Sequence, residues 1–188
     1  MKEVLLFLAE GFEECEALIV VDLFRRADID IRTVSVTGDK EVVSAHNVRI
    51  TADESIEDIW EDVWQGIVEP EMIILPGGMP GTEYLDRSRY LKRIIERQAS
   101  RNGKIAAICA APSILGRRGL LAGRRATCYP GFENFLSDAE YTADPVTVDG
   151  NYITANGLGA AVDFALTLIG ELRDKEVADG VAQAILHR

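Results

Sequence analysis

The run Lys104-Ile105-Ala106-Ala107-Ile108-Cys109-Ala110-Ala111-Pro112 decides the fold, because a short apolar strand passes directly into a cysteine, then small residues and a proline. A nucleophile is held on a sharp strand-to-helix turn, exposed at a sheet's end, only when its neighbours are too small to clash. Ala107, Ala110 and Ala111 meet that demand. Pro112 suits the first turn of a helix, having a fixed φ and no amide hydrogen, and a helix N-terminus just beyond Cys109 favours a thiolate. The expectation is a cysteine more acidic than a free one. A plain core thiol following a buried strand fits the same residues, since unpaired cysteine is among the most buried residue types.

Upstream, Val4-Leu5-Leu6-Phe7-Leu8-Ala9 is a continuous apolar run, as expected for a central strand buried on both faces of a parallel sheet. A helix follows from Glu13 to about Ala27, with Ala17, Leu18, Val20, Val21 and Phe24 at helical spacing. The helix dipole accounts for Glu13 and Glu14 in its first turn. Glu16 differs in context, because it lies just past a central strand's C-terminal end, where open α/β sheets place their ligands. Ile31 to Val36 reads as the next strand. Val42-Val43 and Val48-Ile50 form a hairpin with His46-Asn47 at its bend, which makes His46 a loop residue. Ser55, followed by Glu57 and Asp58, opens a short helix whose Trp60 and Trp64 are expected to pack on the sheet.

Glu71 to Leu75 is another buried strand, ending in Pro76-Gly77-Gly78-Met79-Pro80-Gly81. Consecutive glycines there let backbone N–H groups point into a crevice, as an oxyanion site requires, although a plain tight turn uses the same residues. A helix over Tyr90 to Ala99 stops at Asn102-Gly103, before the Cys109 strand. Beyond it, Ala126 to Gly131 reads as a strand and turn with Cys128 structural and Tyr129 facing the crevice. Val146-Val148 and Tyr152-Thr154 are strands, and helices run from Ala160 to Leu172 and from Asp174 to Leu186.

Strands alternating with helices imply a mostly parallel sheet covered on both faces, in one domain over residues 1–188. A net charge of −11 argues against nucleic acid or an anionic membrane as the main partner. Three cysteines at wide spacing fit a reducing compartment, and with two histidines, His46 and His187, zinc ligands are scarce; no metal or cofactor is expected. Met1-Lys2-Glu3 leads straight into a strand and no apolar run reaches membrane-spanning length, so a cytoplasmic location is expected. The turns after the first strand, after Leu75 and at Cys109 belong at one edge of the sheet. There Glu16 supplies a carboxyl, Gly77, Gly78 and Ala110 supply amide donors, and Cys109 is the nucleophile.

Ala9 to Ala17, Leu75-Pro76-Gly77-Gly78, Ala106 to Pro112 and Asn156-Gly157-Leu158-Gly159 together resemble the ThiJ/PfpI superfamily, in the branch of Parkinson disease protein 7 and its bacterial relatives. The resemblance spans nearly the whole chain. It implies a flavodoxin-like three-layer α/β sandwich, a homodimer with the Cys15 helix at its interface, and an oxidation-prone cysteine at Cys109 hydrogen-bonded by a glutamic acid at Glu16. Implied activities are glyoxalase-type conversion of small 2-oxoaldehydes, deglycation, chaperone action and oxidative-stress sensing, with older labels of thiazole-phosphate biosynthesis and proteolysis. Arg26 and His46 match family positions near that interface and the neighbouring subunit's pocket, and with Tyr129 and Gly157 they are candidates for substrate binding. Two departures matter. Ala110 stands where the protease-like branch has histidine, which removes a Cys-His protease centre, and an amidase reading needs a histidine that neither His46 nor His187 obviously supplies. Tyr129 stands where human-like members have histidine; it donates a hydrogen bond but is a poor base near neutral pH.

Overall fold

The computed structural model describes residues 3–187; Met1, Lys2 and Arg188 lie outside the described residues, and with them the ends of the expected 1–188 domain and the Met1-Lys2 lead-in. Along the chain run β1 (Val4–Leu8), α1 (Glu14–Arg26), β2 (Ile31–Ser35), β3 (Glu41–Val43), β4 (Arg49–Thr51), β5 (Glu54–Ser55), α2 (Ile56–Gln65), β6 (Met72–Leu75), α3 (Gly81–Arg87), α4 (Arg89–Ser100), β7 (Lys104–Ile108), α5 (Pro112–Gly116), β8 (Arg125–Ala126), β9 (Glu140–Tyr141), β10 (Val146–Asp149), β11 (Tyr152–Ala155), α6 (Ala161–Leu172) and α7 (Lys175–Ala184). Among the described residues, seven strands form one sheet in the order β10-β11-β7-β6-β1-β2-β5, parallel except for β10 against β11. The run β2-β1-β6-β7-β11 is the doubly wound order in which the chain reverses direction beside its first strand, and the crevice outside the strands' C-terminal ends at that reversal is where such folds bind ligands.

Strand alternation divides the core in two. Val4, Leu6, Leu8, Met72, Ile74, Ala106 and Ile108 face α1, α6 and α7, whereas Leu5, Phe7, Ile73, Leu75, Ile105 and Ala107 face α2 to α5. Both faces of β1 are therefore covered, which is why that strand reads as an unbroken apolar run. This is the three-layer α/β sandwich with a small hairpin, β3–β4, that the sequence predicts. No described helix is long and apolar enough to cross a membrane.

Local chemistry sets the element ends. Ser55 accepts the Asp58 amide hydrogen at 3.3 Å and the Asp58 carboxylate accepts that of Ser55 at 3.2 Å, a reciprocal cap that starts α2. The face α2 lays on the sheet is Ile56, Ile59 and Val63, with Trp60 packed against the same core at its edge and Trp64 outside it. Trp60 is half-buried and stacks on Trp64, which is 45% exposed, because the i,i+4 pair sits one step around the helix from the apolar stripe. The sequence also gives no apolar periodicity for α3. That turn of helix is held from outside, by Gly81 seated against the Phe12 backbone.

Candidate active site

Three loops meet outside the ends of β1, β6 and β7. The first two are zipped together by backbone: the Glu13 amide donates to the Gly77 carbonyl at 2.9 Å and the Gly81 amide to that of Gly11 at 3.2 Å. A Cβ on Gly78 would stand 2.4 Å from the Glu13 nitrogen, and its φ of +92° lies in the left-handed region, so glycine is required there on two counts. The hairpin docks on the same loop, with the Gly11 amide donating to Val43 and that of Ala45 to Phe12, both at 2.8 Å.

Cys109 sits at the turn out of β7 with φ +65°, a conformation that costs a non-glycine residue on the order of 1–3 kcal/mol and persists only when its surroundings enforce it. Here they do. The Cys109 amide donates to the Ala155 carbonyl at 2.9 Å, and its carbonyl accepts the Tyr129 amide hydrogen at 2.7 Å. With its backbone pinned between β11 and the Tyr129 loop, the half-buried side chain packs at the edge of the α1-side core and meets Glu16 at the Gly77 turn.

Glu16, 1% exposed, comes from the first turn of α1. Its amide donates to the Glu13 carboxylate at 2.6 Å, so Glu13 caps the helix that presents it. Its own carboxyl does two things. One oxygen, Oε2, accepts the Gly77 amide hydrogen at 2.9 Å, and the carboxyl also hydrogen-bonds the Cys109 thiol. Burial pushes the Glu16 carboxyl up to about 7, with the Glu13 carboxylate adding to the rise and the hydrogen bonds from Gly77 and Cys109 opposing it. Burial and the negative charge of Glu16 push the Cys109 thiol up to about 12, against amide donation to the sulfur from Gly78 and Ala110.

Two expectations are thereby revised. Cys109 is not acidified by a helix N-terminus: α5 has only five residues, and desolvation and the carboxylate outweigh its partial charge. The Gly77 amide is committed to Glu16, so the donors facing the sulfur are Gly78 and Ala110.

The structure scatters the other candidates. Tyr129 is 50% exposed on the loop that pins Cys109, and a Cβ on Gly157 would lie 3.3 Å from the Tyr129 Cδ2, so those two form one wall of the crevice mouth. His46, on the hairpin, meets Glu14 with Nδ1 2.9 Å from Oε1. Arg26 pairs with Asp22 at 2.7 Å at the far end of α1, about 15 Å along the helix from Glu16, so within one protomer it does not line the crevice. Glu13, Glu14 and His46 present ligand atoms within 4.8 Å of one another. Cys15 is exposed on α1 and Cys128 is fully buried. The residue that the sequence reading passed over is Glu13, whose capping role is visible in the three-residue spacing to Glu16.

The chain matches known proteins across this whole framework. A family model described as the DJ-1/PfpI family matches residues 2–171. The chain is 36% identical to the Parkinson disease protein 7 homolog of Danio rerio, covering 98% of this chain and 97% of that protein. It is 35% identical to protein DJ-1 homolog B of Arabidopsis thaliana over 100% of this chain and 42% of that protein; the chain thus spans about half the length of the curated Arabidopsis relatives. At 26% identity it aligns with the glutathione-independent glyoxalase DJR-1.2 of Caenorhabditis elegans, over 94% of this chain and 91% of that protein. A solved DJ-1 superfamily protein from Salmonella typhimurium superposes with a TM-score of 0.92 at 33% identity, covering 100% of both chains. With the flavodoxin-like sandwich and a family match over nearly all of its length, the chain belongs to the DJ-1/PfpI family.

Proposed function

We propose that this protein is a cysteine-dependent enzyme of carbonyl-stress defence that converts small 2-oxoaldehydes to 2-hydroxy acids, with Cys109 as nucleophile and Glu16 as its proton carrier. The observation that carries this reading is the convergence of the Glu16 carboxyl and the Cys109 side chain on the Gly77 turn, where burial raises the carboxyl to about 7 and the thiol to about 12. Such a pair passes from two protons to one around neutral pH, and in the one-proton form the carboxylate takes the thiol's proton as sulfur attacks.

With methylglyoxal, the Cys109 sulfur bonds to the aldehyde carbon and the thiol proton passes through Glu16 to the new oxygen, giving a hemithioacetal. The Glu16 carboxylate then removes the hydrogen from that carbon as the ketone oxygen gains a proton, giving an enediol; Glu16 returns its proton to the neighbouring carbon while the first hydroxyl gives up its own, which leaves an alcohol there and a thioester on sulfur. Water cleaves the thioester, releasing lactate and restoring the thiol. Water is the one co-reactant, and neither metal nor cofactor enters the cycle. The Gly78 and Ala110 amides are the donors for the oxyanion, with the Tyr129 hydroxyl at the mouth as a third. The name of the C. elegans relative supports the substrate class. Lactate production from methylglyoxal, lost in Cys109→Ser, is the test; no lactate, or full activity in the variant, overturns the reading.

A second reading rests on the same donors. The Gly78 and Ala110 amides and a protonated Glu16 suit sulfinate oxygens on Cys109, so a redox-sensing chaperone whose signal is Cys109 oxidation is the alternative. Selective peroxide oxidation of Cys109 without turnover would favour it. We further propose a homodimer packed through α1, where Cys15 and Leu18 are exposed, with Arg26 and His46 acting from the neighbouring copy. A reducing, cytoplasmic setting fits the three free thiols.

A further inference from the structure

On the opposite side of the sheet from α1, the outer faces of α2 and α4 carry a ladder of rings. Trp64 stacks on Trp60 with centroids 5.2 Å apart, and Trp60 meets Tyr90 at 4.8 Å. The ladder is capped at both ends by guanidiniums: Arg93 lies 5.6 Å from the Trp64 centroid and Arg89 lies 4.6 Å from that of Tyr90. Trp64 remains 45% exposed. Beside it is a cleft of about 450 Å³ lined by Trp64, Arg89, Lys92, Arg93 and Glu96, a volume within the range of small-molecule sites.

The charges here are unlike those elsewhere. Among the described residues, every arginine and lysine except Arg89, Lys92 and Arg93 is ion-paired. In a chain with 31 acidic and 20 basic side chains, a surplus of partners exists, yet these three cations have none. Their placement is also unfavourable. They stand at i, i+3 and i+4 on one face of α4, where like charges repel, and Arg89 and Lys92 begin the helix, where the dipole disfavours cations. An anion seated among them offsets both effects. Arg89 gives one N–H to the Tyr90 hydroxyl at 2.8 Å, and its remaining donors, with those of Arg93, are left for the bidentate grip that a guanidinium makes on phosphate.

We propose that this face of α2 and α4 binds a nucleoside polyphosphate, its phosphates held by Arg89, Lys92 and Arg93 and its base laid against the exposed Trp64 ring. A simple inorganic anion leaves that ring in water, whereas a base covers it, and every base offers a π-face. The strongly negative net charge excludes a long nucleic acid but not a compact ligand, because charges beyond about 8 Å are largely screened at physiological salt. Glu96, the one carboxylate lining the cleft, follows Lys92 by four residues and Arg93 by three, so the phosphates seat toward the Arg89 end.

The chain's two tryptophans are both in this ladder, so intrinsic fluorescence reads the site directly. Titration with ATP is expected to quench it saturably. Arg93→Ala and Lys92→Ala should each weaken binding roughly fivefold or more, in keeping with loss of a charge-assisted contact. Adenosine and inorganic tripolyphosphate should each bind at least about fivefold more weakly than ATP, since each lacks one of the two contacts. Unchanged circular dichroism and an unchanged rate of Cys109 alkylation establish that these variants are folded. Absence of quenching, indifference to both substitutions, or tripolyphosphate binding as tightly as ATP overturns the proposal.

Discussion

Glu16 Oε2 accepts the Gly77 amide hydrogen at 2.9 Å, which fixes the carboxyl beside Cys109 although the two residues come from different strands' ends. The contact also explains the glycine. A methyl group at Gly77 would lie 2.6 Å from that same oxygen and 2.5 Å from the Cys109 Cβ, in the space where the pair meets.

Gly77→Ala is therefore expected to separate the carboxyl from the sulfur without removing either. Overpacking of this kind costs roughly 1–3 kcal/mol, measurable by urea denaturation. Alkylation of Cys109 near neutral pH should fall with it, and a variant that reacts at the wild-type rate would show that the close pairing is unnecessary.

The pair's titration sets the pH profile of reactivity. With Glu16 raised to about 7, the fully protonated pair is unreactive below that value, and loss of one proton produces the carboxylate–thiol form, in which Glu16 takes the thiol proton as sulfur attacks. Iodoacetamide alkylation of Cys109 should then rise with a midpoint near pH 7. In Glu16→Gln that step disappears and the profile follows the thiol alone, at or above the ordinary value of about 8.5. Persistence of the neutral step in the variant would assign it to another group.

Stability should move the opposite way. The folded Glu16 carboxyl is raised above its ordinary 4.5, so between 4.5 and about 7 the native state holds a proton that the unfolded chain releases. Stability contributed by this group is complete below that window and declines as pH rises through it, by about 3 kcal/mol for a shift of that size. Thermal melts of Glu16→Gln and wild type should nearly coincide at low pH and diverge above pH 7, with the variant the more stable. Parallel pH dependence in the two proteins would contradict a buried, ionising Glu16.

Tyr129→Phe keeps the ring over Gly157 and deletes only the hydroxyl. If the hydroxyl donates to the oxyanion, kcat for methylglyoxal falls by about tenfold or more while KM changes little. An unchanged kcat leaves the oxyanion to the Gly78 and Ala110 amides.

Much of this arrangement is legible in the chain. The fully buried run at Val4–Leu8 and the passage of Lys104–Ile108 into Cys109 announce parallel strands, because strands covered on both faces cannot alternate with polar residues. The elements' order places Glu16, the Gly77–Gly78 turn and Cys109 at one sheet edge, since β1, β6 and β7 run parallel. The helix Gly81–Arg87 escapes such reading because it is held by packing against Phe12 rather than by its own periodicity. Trp64 escapes it because an i,i+4 spacing shows that two rings share a side of a helix but not whether that side faces the sheet or water.

Sequence alone determined that Cys109 lies on a tight strand-to-helix turn flanked by small residues, with a carboxyl and glycine turns delivered to the same edge. Tertiary structure alone decided their chemistry. Proton affinities depend on desolvation and neighbouring charge, which arise only when the loops close: burial and Glu16 make the Cys109 thiol a weak acid, where the local sequence promised a strong one. The same closure turned the Gly77 amide toward Glu16 and away from the crevice, since a backbone donor serves whichever acceptor folding brings nearest.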